Sequence, residues 1–193
     1  MKINIRRVIA FFLLILLSVG FGFAYDGIAT AIERHRHPRP EKQVDEVAEY
    51  AAEYGIPEPV IWAILKTQSN FTSNAVSEQG AIGLMQLTPK QFDFICTRLL
   101  GIQTPDAGML YDPETNLRCG CAWLSYLYAR YDTWHLAFAA YRNGTEILDA
   151  WLTDSTLVDQ NGMLPAFPDS ETTAFVENIE RTVEKYSQLY YES

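Results

Sequence analysis

Cysteine, histidine and basic charge are scarce in this chain. Its 193 residues hold three cysteines, three histidines and 15 basic side chains against 24 acidic ones. Three cysteines cannot make a disulfide-dense scaffold. A zinc site built on Cys96, Cys119 and Cys121 would need a fourth ligand, for which only His135 is available, and a spacing wider than Cys-x-Cys. No alternation of apolar and polar residues persists beyond a few positions, and no segment repeats, so sheet architectures and repeat arrays find no support. Disorder is excluded by a 48% share of hydrophobic residues.

The charge is split along the chain. Residues 1–42 carry seven basic and three acidic side chains, a balance of +4, which leaves 8 basic and 21 acidic ones, or −13, for residues 43–193. A domain that acidic repels nucleic acid, whose binding needs clustered Lys and Arg. Lys2, Arg6 and Arg7 precede one uncharged apolar run from Val8 to Tyr25. A basic flank before such a run reads as an export signal or an N-terminal membrane anchor. Its 18 residues lie at the border between a signal core and a spanning helix. Gly22 with Ala24, or Ala29 with Ala31, offer small residues for cleavage. Residues 1–25 are thus assigned to a signal peptide or anchor, and residues 26–42 to a linker rich in charge and containing Pro38 and Pro40. His35 and His37 lie in that linker without a third ligand and read as solvated residues. The domain from 43 to 193 is expected outside the cytoplasm.

Within that domain the periodicity is helical. Val44, Val47, Ala48, Ala51 and Tyr54 recur at three- and four-residue steps before Gly55. Pro57 and Pro59 open a second helix, with Val60, Ile61, Ile64 and Leu65 apolar, that runs to about Ser69. Residues 70–88 read as a structured loop. Further helices are expected over 89–100, 114–130, 135–142, 146–152 and 171–190, with Leu117, Cys121, Leu124, Leu127 and Tyr128 facing inward. The class is all-α, a single helical domain after the N-terminal segment.

Four segments carry a family likeness. They are Ile56 to Phe71; Ala75 to Pro89, with Gly-Leu-Met-Gln at 83–86; Asn116 to Leu124 followed by Ala139 to Gly144; and Glu171 to Val176. In this order and spacing they resemble the soluble lytic transglycosylase family, whose domain has the goose-type lysozyme-like fold. The resemblance implies action on peptidoglycan glycan strands, with no metal or cofactor. Such enzymes cut the β-1,4 link after N-acetylmuramic acid without water, leaving a 1,6-anhydromuramyl end. A single carboxyl group serves as acid and then as base, unlike the two-carboxylate plan of most glycosidases.

At the position of that family glutamate this chain has Gln68, followed by Ser69. A carboxamide nearly matches a carboxyl in shape but cannot deliver or accept the proton. Acid–base catalysis contributes about 10²–10⁴-fold, and this mechanism relies on it twice. Three other acids invite comparison. Glu58 lies about 15 Å along the same helix at 1.5 Å per residue. Glu78 falls in the variable part of the loop, and Glu171 resembles a family glutamate that supports the site. By the resemblance, Tyr141 would hydrogen-bond the side chain at position 68. Ser69, Ser77, Met85 and Gln86 would line the cleft, and Arg142 or Asn143 would stand where the family has a sugar-binding Asn. Phe175 replaces a family Tyr, and Thr88 a frequent Met. Two readings follow from these residues. One is a transglycosylase that binds and cleaves glycan strands through another acid. The other is a catalytically inactive glycan-binding or scaffold protein.

The remaining candidates have plainer readings. The cysteines are either buried small hydrophobes or, in an exported domain, a Cys96 bridge to Cys119 or Cys121. His135 reads as a packing or capping residue. Trp62 and Trp123 fall on apolar faces and read as core, while Trp134 and Trp151 stay open as sugar platforms.

Overall fold

The computed structural model of the chain describes residues 25, 27–103, 105–160 and 163–192. The apolar run from Val8 falls almost wholly outside these residues, and no helix among them is long and apolar enough to cross a membrane. The chain divides into two compact units, Met1–Pro38 and Arg39–Ser193. In the first, residues 27–36 are helical, further into the stretch read as linker than the sequence indicates, and Arg36 pairs with Glu33 at 3.1 Å. The helix stops short of Pro38, whose ring and missing N–H end it.

The second unit is built mainly of helices. Helix α1 spans Glu41–Tyr54 and ends at Gly55, whose φ of 65° lets its N–H cap the Ala51 carbonyl. Helix α2, Glu58–Ser69, follows at once. Every residue from Pro59 to Leu65 in it is buried, so it is wrapped on all sides rather than laid on a core by one face. It ends without glycine: Asn70 and Phe71 both take left-handed φ values, 48° and 65°. A bulky residue is costly there, and the Phe71 ring is held by packing near Trp62, with centroids 6.3 Å apart.

The loop from Thr72 to Thr88 folds back on itself through two isolated antiparallel bridges, Val76 with Ile82 and Ile82 with Leu87. Among the described residues these bridges are the only extended pairing. Thr88 then caps helix α3, Pro89–Phe94, in a reciprocal capping box with Gln91. The single helix expected to Leu100 instead changes character at Ile95: a π-helical turn covers Ile95–Leu99, with Leu100 N–H donating to the Ile95 carbonyl at 3.0 Å. A short 3-10 turn, Ala107–Tyr111, leads into the long helix α4, Pro113–Tyr131, capped by Asp112. Helices α5, Trp134–Asn143, α6, Thr145–Thr153, and α7, Ser170–Tyr190, complete the unit.

The core joins α2 to α7 and α4 to α5. Trp62, Ile61, Ile64, Leu124, Phe138 and Tyr186 are fully or almost fully buried at its centre. Two inward assignments need correction. Tyr128 is 38% exposed because it stacks flat on Trp134, centroids 4.4 Å apart, at the surface. On α1 the stripe turns through Tyr50, which is buried, while Ala48 faces out.

Candidate functional site

Three elements meet at one groove: the C-terminal end of α2, the 72–88 loop and the turn from α5 to α6. It encloses about 380 Å³. Gln68 reaches it from the last turn of α2, Ser77, Gln79 and Gln86 from the loop, and Tyr141, Arg142 and Asn143 from the end of α5. Thr88, Gln91, Ala81 and Phe175 complete the wall.

The floor of the groove is built before any ligand arrives. Asn116, fully buried on α4, donates through Nδ2 to the carbonyls of Ile82 (2.8 Å) and Leu110 (2.9 Å) and accepts from Met85 N–H at 2.8 Å. All of its hydrogen-bonding directions but one acceptor lone pair are used, the condition under which burying a polar side chain is tolerated. Gly83 must be glycine here, because its φ is 84° and an added Cβ would lie 2.1 Å from Asn116 Nδ2. The Met85 carbonyl is held from the other side by the Tyr141 hydroxyl at 2.5 Å. Burial pushes the Tyr141 phenol far above its ordinary range, so it stays a donor. That hydroxyl proton is committed to the loop, and the Gln68 amide donates to Thr67 instead, so the expected bond between Tyr141 and residue 68 is not formed.

The Gln68 side chain is half-buried, and its Nε2 donates only weakly, to Thr67 Oγ1 at 3.4 Å. Gln86 has φ 52°, and both protons of its amide are spent on the loop, on the carbonyls of Ala75 (3.1 Å) and Gly83 (2.9 Å). The Asn143 amide is likewise spent on Ala139 O and on Thr172 Oγ1 at 2.8 Å. Ser77 Oγ accepts from Ala81 N–H. Arg142 pairs with Glu171 at 2.6 Å and lies over the Phe175 ring at 5.3 Å.

Two residues read from the sequence as cleft-lining lie elsewhere. Met85 is fully buried, and its side chain fills the space that Gly120 leaves on α4. Ser69 turns its hydroxyl back to the Leu65 carbonyl at 3.3 Å, as a residue in the last helical turn readily does. Conversely, Gln79 and Gln91 line the groove unanticipated. Gln91 was legible in principle, since Thr88-Pro-Lys-Gln91 is a capping box that fixes its Oε1 on Thr88 N–H and leaves its amide protons toward the groove side of the cap. No comparable signal marks Gln79.

No carboxylate is among the lining residues. Glu58 is at the other end of α2, accepting from the Tyr191 hydroxyl and 3.6 Å from Arg39. Glu78 does not reach the wall, and Glu171 is occupied by Arg142. His135 bonds Glu180 at 2.9 Å and stacks on Phe167. Trp134 stacks on Phe138 and Trp151 packs at a tilt against Phe167, and neither lines the groove. The three cysteines are buried free thiols. No cluster of three or more potential metal ligands occurs among the described residues.

Residues 45–161 match the family model described as the transglycosylase SLT domain. The membrane-bound lytic murein transglycosylase C of Yersinia pestis is 37% identical over 101 residues, which cover 52% of this chain and 28% of that protein. The lytic transglycosylase Slt of Pseudomonas aeruginosa, solved as an inactive Glu-to-Gln mutant, is 31% identical with a TM-score of 0.68, over 80% of this chain and 25% of the other. The 70 kDa soluble lytic transglycosylase of Escherichia coli gives 27% identity and a TM-score of 0.72, over 83% of this chain and 26% of the other. That enzyme has also been solved with bulgecin A. The match therefore spans about a quarter of the length of these relatives.

Proposed function

The chain belongs to the transglycosylase SLT domain family, and on that premise we propose that it is an extracytoplasmic peptidoglycan protein that binds glycan strands in the Gln68 groove and cleaves them feebly or not at all. One observation carries the reading. The groove walls present amides, hydroxyls, one phenol, one phenyl ring and one guanidinium, and no carboxylate. A reaction that must protonate a glycosidic oxygen and then accept a proton from the sugar's 6-hydroxyl has no group there to do either. The fold and sugar-facing surface remain, so binding outlives chemistry. The solved Pseudomonas relative, inactive with a glutamine in place of one glutamate, is consistent with how much such an exchange costs in this family. Residues 1–25 would tether the domain to the membrane or export it, with residues 26–42 as the spacer.

The test is a digestion of purified peptidoglycan by the full-length chain, unaltered and as Gln68→Glu, read as 1,6-anhydromuramyl ends by mass spectrometry. The unaltered chain should co-sediment with peptidoglycan and give products at or near background. Gln68→Glu should raise them by about 10²-fold or more, the lower end of what acid–base catalysis supplies. Abundant products from the unaltered chain would establish the other reading, a working transglycosylase with its acid elsewhere.

A further inference from the structure

Among the described residues, Arg142 is the one charged side chain lining the groove. It puts a cation into a wall otherwise made of uncharged groups. Its guanidinium is held in two ways, by the Phe175 ring at 5.3 Å and by Glu171 at 2.6 Å. The two anchors differ in kind. Phe175 packs on the core, while the Glu171 side chain is 79% exposed at the start of α7, with no other partner among the described residues. An exposed carboxylate on a flexible stem is an easily displaced partner, since such a pair contributes little in water. Asp169 also feels Arg142, but its carboxyl is fastened to Thr172 N–H at 2.6 Å and Thr172 Oγ1 at 2.8 Å, and cannot compete.

We propose that Arg142 is a carboxylate-recognition point, and that Glu171 is a stand-in for the ligand's carboxylate when the groove is empty. Resting on the glycan-binding reading above, this names the substrate class: strands bearing free carboxylates beside the sugar ring. Two parts of peptidoglycan supply that chemistry, the lactyl ether of a peptide-free muramyl residue and the free carboxylates of a stem peptide. Selectivity is needed, because the 43–193 segment carries −13 overall and repels an anionic strand at long range. A single guanidinium over an aromatic face restores attraction at one place, with the bidentate geometry that carboxylates match.

The experiment is calorimetric titration of the full-length chain with three oligosaccharides of equal length: chitotetraose, a peptide-free muramyl tetrasaccharide and its peptide-substituted form. Tighter binding of at least one carboxylated ligand than of chitotetraose, by about tenfold and shrinking with added salt, is expected, as one charge-assisted contact would give. Which of the two is preferred identifies the source of the carboxylate. Arg142→Gln should bring the ratio to about one, and Arg142→Lys should keep part of it. Glu171→Gln should raise affinity for the carboxylated ligand alone, an effect of opposite sign that a damaged fold cannot mimic. Equal binding of all three by the unaltered chain, or a ratio unmoved by Arg142→Gln, overturns the proposal and leaves glycan binding intact. Failure of all three to bind overturns both.

Discussion

Replacing Asn116 by Leu removes one carboxamide, strands two backbone groups and takes one of two partners from a third. The side chain is fully buried, and leucine keeps the same branched skeleton with bulkier methyl ends, so no cavity opens. What is lost is the partner of Met85 N–H and of the Leu110 carbonyl, and one of the two donors to the Ile82 carbonyl, which keeps Leu87 N–H; the lost bonds are all 2.8–2.9 Å. A buried polar group left without its partner costs about 1–3 kcal/mol. Some of the three will be relieved by small loop shifts, so the expected destabilisation is about 3–5 kcal/mol, at the top of what single substitutions do. With a urea slope of about 2 kcal/mol per molar, the unfolding midpoint should fall by roughly 1.5–2.5 M. Asn116→Asp refines the test. That carboxylate would face two carbonyl oxygens without water, so its folded pKa must rise above the unfolded value of about 3.9. A raised carboxyl pKa makes the folded state bind more protons than the unfolded, so stability relative to the parent chain drops as pH rises from about 4 and recovers on acidification. Urea titrations followed by circular dichroism at pH 4 and 7 measure both effects. A midpoint shift under 0.5 M for Asn116→Leu, corresponding to about 1 kcal/mol, would refute the claim that this one side chain holds the groove floor.

Two further outcomes follow. Asp169 caps α7 by accepting from Thr172 N–H, and that bond holds its carboxyl below the ordinary range. Asp169→Ala should cost about 1 kcal/mol at pH 7. The cost should shrink as pH falls below about 4, because a depressed carboxyl stabilises only while ionised, which paired urea titrations will measure. The buried thiols should resist chemistry: burial pushes Cys119 up to about 12 and Cys96 and Cys121 upward too. A thiol-reactive dye at pH 8 should label none of them in the native chain within an hour and all three in denaturant; prompt native labelling would contradict the packing around α4.

Much of the helical framework is written locally. Gly55 after Tyr54, Pro57 before α2 and Asp112 before α4 act on the backbone within a residue or two, so those boundaries can be read without the fold. The π-helical turn at Ile95–Leu99 could not, since its widened hydrogen-bond ring follows from packing and has no periodic signature. Gln68 stands at the end of α2, Tyr141, Arg142 and Asn143 at the end of α5, and Ser77 and Gln86 on the loop between α2 and α3, and all six line the groove. Which atom meets which was beyond reach. Met85 points inward because Gly120, 35 positions later, leaves it room, and Tyr141 bonds the Met85 carbonyl because α5 passes beneath the loop. The role of Asn116 is hidden for the same reason: a polar residue among the polar residues of a first helical turn declares its role only when the three groups it bonds are in place.

The residue-68 headgroup takes almost no part in holding the groove. Its single bond is a 3.4 Å contact to Thr67, whereas Met85 is gripped by α4 at its N–H and by α5 at its carbonyl. Shape and proton transfer are therefore separable traits in this chain. Selection can preserve the first while the second lapses, without any loss of folding to mark the event. The codons for glutamine and glutamate differ at their first base alone. The groove thus stands one nucleotide away from a carboxyl at position 68, with its floor already assembled to receive it.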